Sequence, residues 1–97
     1  MTLPDLLARR LDIVSRMCLA TSELQKIRQV RAAADMDAMR CEMALAHEST
    51  DAVARELLDA RQRLDDSDRG LDECEARIAA LEEALAEADR EIAEIAR

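Results

Sequence analysis

A heptad repeat of apolar residues runs without a skip through the second half of the chain. Read at alternating spacings of four and three residues, twelve of its thirteen positions are apolar: Val53, Leu57, Ala60, Leu64, Ser67, Leu71, Cys74, Ile78, Leu81, Leu85, Ala88, Ile92 and Ile95. A period of 3.5 residues is typical of a helix that packs a narrow apolar face against another helix. The fold therefore depends on where that second helix comes from.

The first half of the chain carries an equally long repeat. Eleven of its thirteen positions are apolar: Leu3, Leu6, Arg10, Ile13, Met17, Ala20, Leu24, Ile27, Arg31, Ala34, Ala38, Cys41 and Leu45. Residues 46–52 separate the two repeats and contain Ser49, Thr50 and Asp51, which favour turns and helix starts. If the chain reverses near Ser49, residues whose numbers sum to 98 face each other.

Size and charge support this register. The two arginines of the first seam fall opposite small residues, Arg31 opposite Ser67 and Arg10 opposite Ala88. Flanking positions give five attractive pairs and no repulsive one: Arg9–Glu91, Glu23–Arg77, Arg28–Asp68, Asp35–Arg61 and Asp37–Arg63. Exposed pairs contribute only about 0–1 kcal/mol each, so they select the register more than they stabilise it.

We therefore predict an all-α fold of two long antiparallel helices, a helical hairpin or antiparallel coiled coil. Residues 1–97 form a single helical domain, with a helix over 3–46, a turn over 47–51 and a helix over 52–96. The composition of Asp65–Gly70 fits a loop, so a break there is the alternative, but the heptad repeat runs through it in phase. We expect a continuous helix that loses about 1 kcal/mol to the glycine. The alternative is a parallel coiled coil between two copies of Met36–Ile95, which leaves Leu3–Ala34 without a partner.

The first helix has apolar residues outside its seam, and the second has few. A helix with apolar stripes on two sides needs two neighbours. We predict that the second neighbour is another copy, giving a homodimer or higher oligomer and a helical bundle with the first helices at its centre. The predicted self-association residues are Leu7, Leu11, Val14, Met36, Met39 and Met43.

Charge is unevenly distributed along the chain. Residues 1–47 carry seven basic and six acidic side chains, whereas residues 48–97 carry seven and sixteen. Five arginines on a broad arc of the first helix are candidates for contacts with phosphates or an acidic partner: Arg9, Arg10, Arg16, Arg28 and Arg31. The chain has no aromatic residue to stack on bases, and the acidic half neutralises the patch, so we rank nucleic acid below protein as a partner.

Catalytic and metal-binding patterns are absent from the sequence. His47 is the only histidine, there is no glycine-rich phosphate loop, and the three cysteines are too widely spaced for a zinc site. We expect no enzyme activity, no cofactor and no metal. The odd cysteine count indicates reduced thiols, and the first residues lack a signal-peptide pattern. These two features predict a cytoplasmic protein. Charges interrupt every apolar run, so we expect no membrane-spanning helix and no membrane partner.

The predicted function is that of a non-enzymatic coiled-coil assembly or adaptor protein, which acts through self-association and helix-mediated binding of another protein. The alternative is a small oligomeric regulator or ring subunit that binds nucleic acid or a nucleic-acid-handling protein, for example in viral DNA packaging or its inhibition.

Overall fold

The computed structural model describes all 97 residues, and its only regular elements are two helices. Helix α1 spans Leu3–His47 and helix α2 spans Asp51–Ala96. The predicted helical hairpin is confirmed, and each helix extends one residue further into the connection than predicted. The parallel rod is wrong, because the chain reverses direction over residues 48–50 and the first half packs on the second.

Both helices begin at a threonine cap. The Thr2 hydroxyl accepts a hydrogen bond from the Asp5 amide at 3.3 Å and donates one to Asp5 Oδ2 at 2.8 Å, and the Thr2 amide also donates to that oxygen. Thr50 caps α2 by accepting from the Val53 amide at 3.2 Å. These contacts satisfy amides that lack partners within the helix.

The predicted seams are the buried sides of the two helices. All positions of the second seam except Ile95 are buried or half-buried, and in the first seam only Leu3 and Arg10 are exposed. Ser67, the polar member, is also buried at 6% exposure. Burial thus follows the 3.5-residue period, because only these positions reach the neighbouring helix.

The packing divides into two compact units, Met1–Leu24 with Glu73–Arg97 and Gln25–Asp72. The core of the first unit consists of Leu6, Ile13, Ala20, Leu24, Cys74 and Ala88. The core of the second is a cluster of Ala38, Cys41, Leu57 and Ala60, against which Leu45, Val53 and Leu64 pack. Both cores are thin and contain many small residues. The interpretation of the chain as one domain stays a prediction.

Helix α2 is continuous through Asp65–Gly70, as predicted. Gly70 has no positive φ, so its backbone does not require a glycine. A Cβ added there would lie 3.5 Å from Ile27 Cδ1, an ordinary van der Waals distance. The backbone at this position therefore does not need a glycine, and there is room for a methyl group beside Ile27.

Candidate functional site

The surface that distinguishes α1 lies on the side of the helix away from its seam. It consists of thirteen residues at alternating spacings of four and three, which we call the α1 outer strip: Pro4, Ala8, Leu11, Ser15, Cys18, Ser22, Gln25, Gln29, Ala32, Met36, Met39, Met43 and Ala46. All thirteen are exposed and none is charged. In a chain with 37% charged residues, so long an uncharged exposed strip is unusual for a solvated helix face.

Helix α2 provides the matching control surface. Its residues at the corresponding positions, the α2 outer strip, are Arg55, Leu58, Gln62, Asp65, Arg69, Asp72, Ala76, Ala79, Glu83, Ala86, Arg90, Ala93 and Arg97. These are also all exposed, but seven are charged. Helix α2 concentrates its apolar residues on one side, whereas those of α1 are spread around the helix. The α2 outer strip is thus an ordinary solvated face.

The structure places four of the six predicted self-association residues in the α1 outer strip. One of the four, Leu11, lies in the first unit. The two predicted residues outside the strip are near it: Leu7 is exposed, and Val14 is half-buried next to the seam. In the second unit the strip contains the three methionines, which are 71%, 55% and 67% exposed at Met36, Met39 and Met43. Large apolar side chains left this open favour burial by a partner.

Sequence reasoning missed the polar part of the strip. A search for apolar residues at helical spacings passes over Ser15, Ser22, Gln25 and Gln29, which separate the apolar ends of the strip. The signal that identifies them is the absence of charge at thirteen successive positions. Leu19 was also missed, although its side chain is 72% exposed in the first unit.

Three of the five candidate arginines form ion pairs. In the first unit, Arg10 Nε lies 2.8 Å from Asp89 Oδ1, and Arg16 Nε lies 3.0 Å from Asp12 on the same helix. In the second unit, Arg31 Nε donates to Asp68 Oδ1 at 2.6 Å. This hydrogen bond and the Asp68 charge raise the pKa of Arg31 above its ordinary value. Of the five, Arg9 and Arg28 form no ion pair, so the structure leaves little of the basic arc unneutralised.

The predicted flanking pairs are partly correct. The pairs Glu23–Arg77, at 2.8 Å, and Asp37–Arg63, at 3.2 Å, form as predicted. The other three are wrong, because flexible charged side chains can reach more than one opposite charge. Asp68 pairs with Arg31 instead of Arg28, Arg61 pairs with Glu42 instead of Asp35, and Arg9 and Glu91 do not pair.

The three cysteines have different environments and are all free. Cys74 is buried in the first unit, where its Sγ donates to the carbonyl oxygen of Ala20 at 3.2 Å. Cys41 is buried in the second unit, with its Sγ 3.8 Å from Glu56 Oε2. Both occupy the seam as small side chains. Cys18 is exposed in the α1 outer strip, so it is the thiol that reports on that surface.

A shallow groove of about 310 Å³ lies in the second unit beside Gly70. Ile27 and Val30 form its apolar wall, and Lys26, Arg63 and Asp66 surround it. Gly70 lines it, and the missing side chain there contributes part of the space. No group of three or more His, Cys, Asp or Glu side chains has an arrangement that could hold a metal ion.

No protein-family model, curated protein or solved structure matches the chain at a significant level. Neither helix has the length of uncharged, apolar sequence that crossing a membrane requires.

Proposed function

We propose that this protein is a non-enzymatic assembly or adaptor module that self-associates through α1. The observation that carries the proposal is the α1 outer strip, which is exposed and uncharged at all thirteen positions and contains Leu11 and the three methionines. Burial of such side chains is the main driving force of helix association, at roughly 1.5–3 kcal/mol for each side chain fully removed from water.

The distribution of charge supports α1 as the inner helix of the assembly. Residues 48–97 carry sixteen acidic and seven basic side chains, so two α2 helices brought together would repel each other. The first half is nearly neutral, and two α1 helices can approach without that cost. An oligomer with α1 inside and α2 outside would present acidic helices to a further protein partner.

The ion pairs favour a protein partner over nucleic acid. Arg10 and Arg31 already neutralise Asp89 and Asp68 within their own units. Phosphate binding would have to break these contacts, and no aromatic side chain is present to compensate by stacking on bases. We also place the protein in the cytoplasm, where its exposed Cys18 thiol would stay reduced.

Sedimentation equilibrium over a range of protein concentrations tests the proposal. We expect a mass that rises from 10.8 kDa to at least twice that value. A monomer at every concentration would overturn it. A second arm measures retention on double-stranded DNA, and binding that is strong at low salt and weakens steeply with added salt would support a nucleic-acid regulator instead.

A further inference from the structure

We infer that the α1 outer strip pairs with the same strip of a second copy in antiparallel orientation, so that residues whose numbers sum to 47 face each other. This inference rests on the proposed self-association and adds the surface, the direction and the register. The first unit of one copy then contacts the second unit of the other, and the contact occurs twice in a symmetric dimer.

The absence of charge limits what can cover the strip. A charged partner surface would lose its hydration on the strip without gaining an ion pair, because none of the thirteen residues can provide one. The α2 outer strip, with seven charged residues, is excluded by this argument. The α1 outer strip of a second copy is uncharged over the same length and therefore fits.

Side-chain size favours the antiparallel register. A sum of 47 places the residues of the first unit opposite those of the second as follows: Pro4 with Met43, Ala8 with Met39, Leu11 with Met36, Ser15 with Ala32, Cys18 with Gln29, and Ser22 with Gln25. The methionines meet apolar residues of equal or smaller size. In the middle, Ser22 meets Gln25 and Gln29 meets Cys18, and only Ser15 meets an apolar residue, the small Ala32. In a parallel pair, each residue would face the same residue of the second copy, so that Ala8 meets Ala8 and Met39 meets Met39. Two small side chains leave unfilled space, and two large ones hold the helices apart.

Charged residues beside the strip favour the register with a sum of 47 over the two registers shifted by one heptad. With a sum of 47, Asp5 lies beside Arg40 of the second copy, twice in the dimer, and no like charges meet. A shift of one heptad, to a sum of 54, places Lys26 beside Lys26 and Arg28 beside Arg28 on the symmetry axis. The opposite shift, to a sum of 40, leaves Met39 and Met43 beyond the start of the partner's helix.

Disulfide formation distinguishes an antiparallel pair of α1 helices from a parallel one, because Cys18 is the exposed native thiol and lies within the strip. In the variant Gln29→Cys, we expect mild oxidation to link Cys18 of one copy to the introduced cysteine of the other, and mass spectrometry of the linked peptides identifies the bond. Within one helix these two positions are roughly 16 Å apart, too far for a disulfide, so the link reports only on the dimer. The matched control is Gln62→Cys in the α2 outer strip, which should give no link to Cys18.

The outcomes separate the inference from the proposed function. A wild-type Cys18–Cys18 disulfide would overturn the antiparallel register with a sum of 47 while self-association stands. A dimer by sedimentation in which Gln29→Cys forms no link with Cys18 would overturn the inference as well. A monomer at every concentration would remove the proposed function and the inference together. A link between Cys18 and the introduced cysteine in Gln29→Cys, with no link in wild type or Gln62→Cys, supports the inference.

Discussion

Helices α1 and α2 have almost equal length and contribute equal seams, yet their outer strips differ. All thirteen residues of the α1 outer strip are uncharged, whereas seven of the thirteen in the α2 outer strip are charged. Both strips are exposed within the hairpin, so the hairpin itself does not account for the difference. We propose that a second association step, made by α1 and not by α2, accounts for it.

The largest effect is expected from a charge placed in the α1 outer strip. We expect Met39→Glu to weaken self-association roughly a hundredfold to a few thousandfold, because leaving an unpaired charge in an interface costs about 3–5 kcal/mol. Helix content, measured by circular dichroism, should not change. Ala79→Glu places the same charge in the α2 outer strip as a control. Equal effects of the two variants on the sedimentation mass would show that the strips do not differ in function.

A matched pair of leucines separates hairpin stability from association. Leu57 is buried in the core of the second unit, and the adjacent Leu58 is 64% exposed in the α2 outer strip. We expect Leu57→Ala to lower the free energy of unfolding by about 2–4 kcal/mol, and Leu58→Ala to change neither stability nor mass. Urea denaturation and sedimentation measure the two quantities. A loss of association in Leu58→Ala would show that α2 also takes part.

Gly70→Ala is expected to stabilise the hairpin. The added methyl group lies at an ordinary contact distance from Ile27, and alanine is favoured over glycine within a helix by about 1 kcal/mol. Thermal unfolding measures the gain. The substitution also fills part of the groove beside Val30, so an unchanged sedimentation mass would show that association does not depend on the groove. A lower mass would assign a binding role to the groove.

The ion pair of Arg31 should contribute little to stability. Arg31 and Asp68 are both partly exposed, so water and salt screen their attraction. We expect Asp68→Asn to shift the urea unfolding midpoint far less than Leu57→Ala does, and less still at high salt. Asp65→Asn, in the α2 outer strip, is a control without a cross-helix partner. A shift as large as that of Leu57→Ala would mean that the pair determines the hairpin register.

The smallest effect is expected at the start of α1. The Thr2 hydroxyl, and then the Thr2 amide, lower the pKa of Asp5 below its ordinary value of 3.8. Because the folded pKa is the lower one, this cap stabilises the helix above about pH 4, and the stabilisation is lost as pH falls through the folded pKa. The protection of the first-turn amides against exchange, corrected for the intrinsic pH dependence of the exchange rate, should fall below that pH in the wild type. Asp5→Asn should remove the pH dependence, and its persistence there would assign the effect to another group.

The sequence predicts the seams well because burial in a two-helix fold depends on the heptad period alone. It predicts ion pairs less well, because a charged side chain near the surface has more than one opposite charge within reach. Arg31 shows this, since it pairs with Asp68 from a seam position and leaves Arg28 without the predicted partner. The α1 outer strip was found only in part, because its serines and glutamines are recognised by the absence of charge, not by hydrophobicity.

The alkylation rate of Cys18 shows whether a second copy covers the α1 outer strip. Cys41 and Cys74 are buried, so Cys18 is expected to be the fast-reacting thiol of the monomer. We expect the rate to fall markedly as protein concentration rises, and to stay high at every concentration in Met39→Glu. The cysteine introduced by Ala79→Cys should react equally fast throughout. If the protein associates but the alkylation rate of Cys18 does not depend on concentration, then the α1 outer strip stays open in the assembly and no second copy covers it.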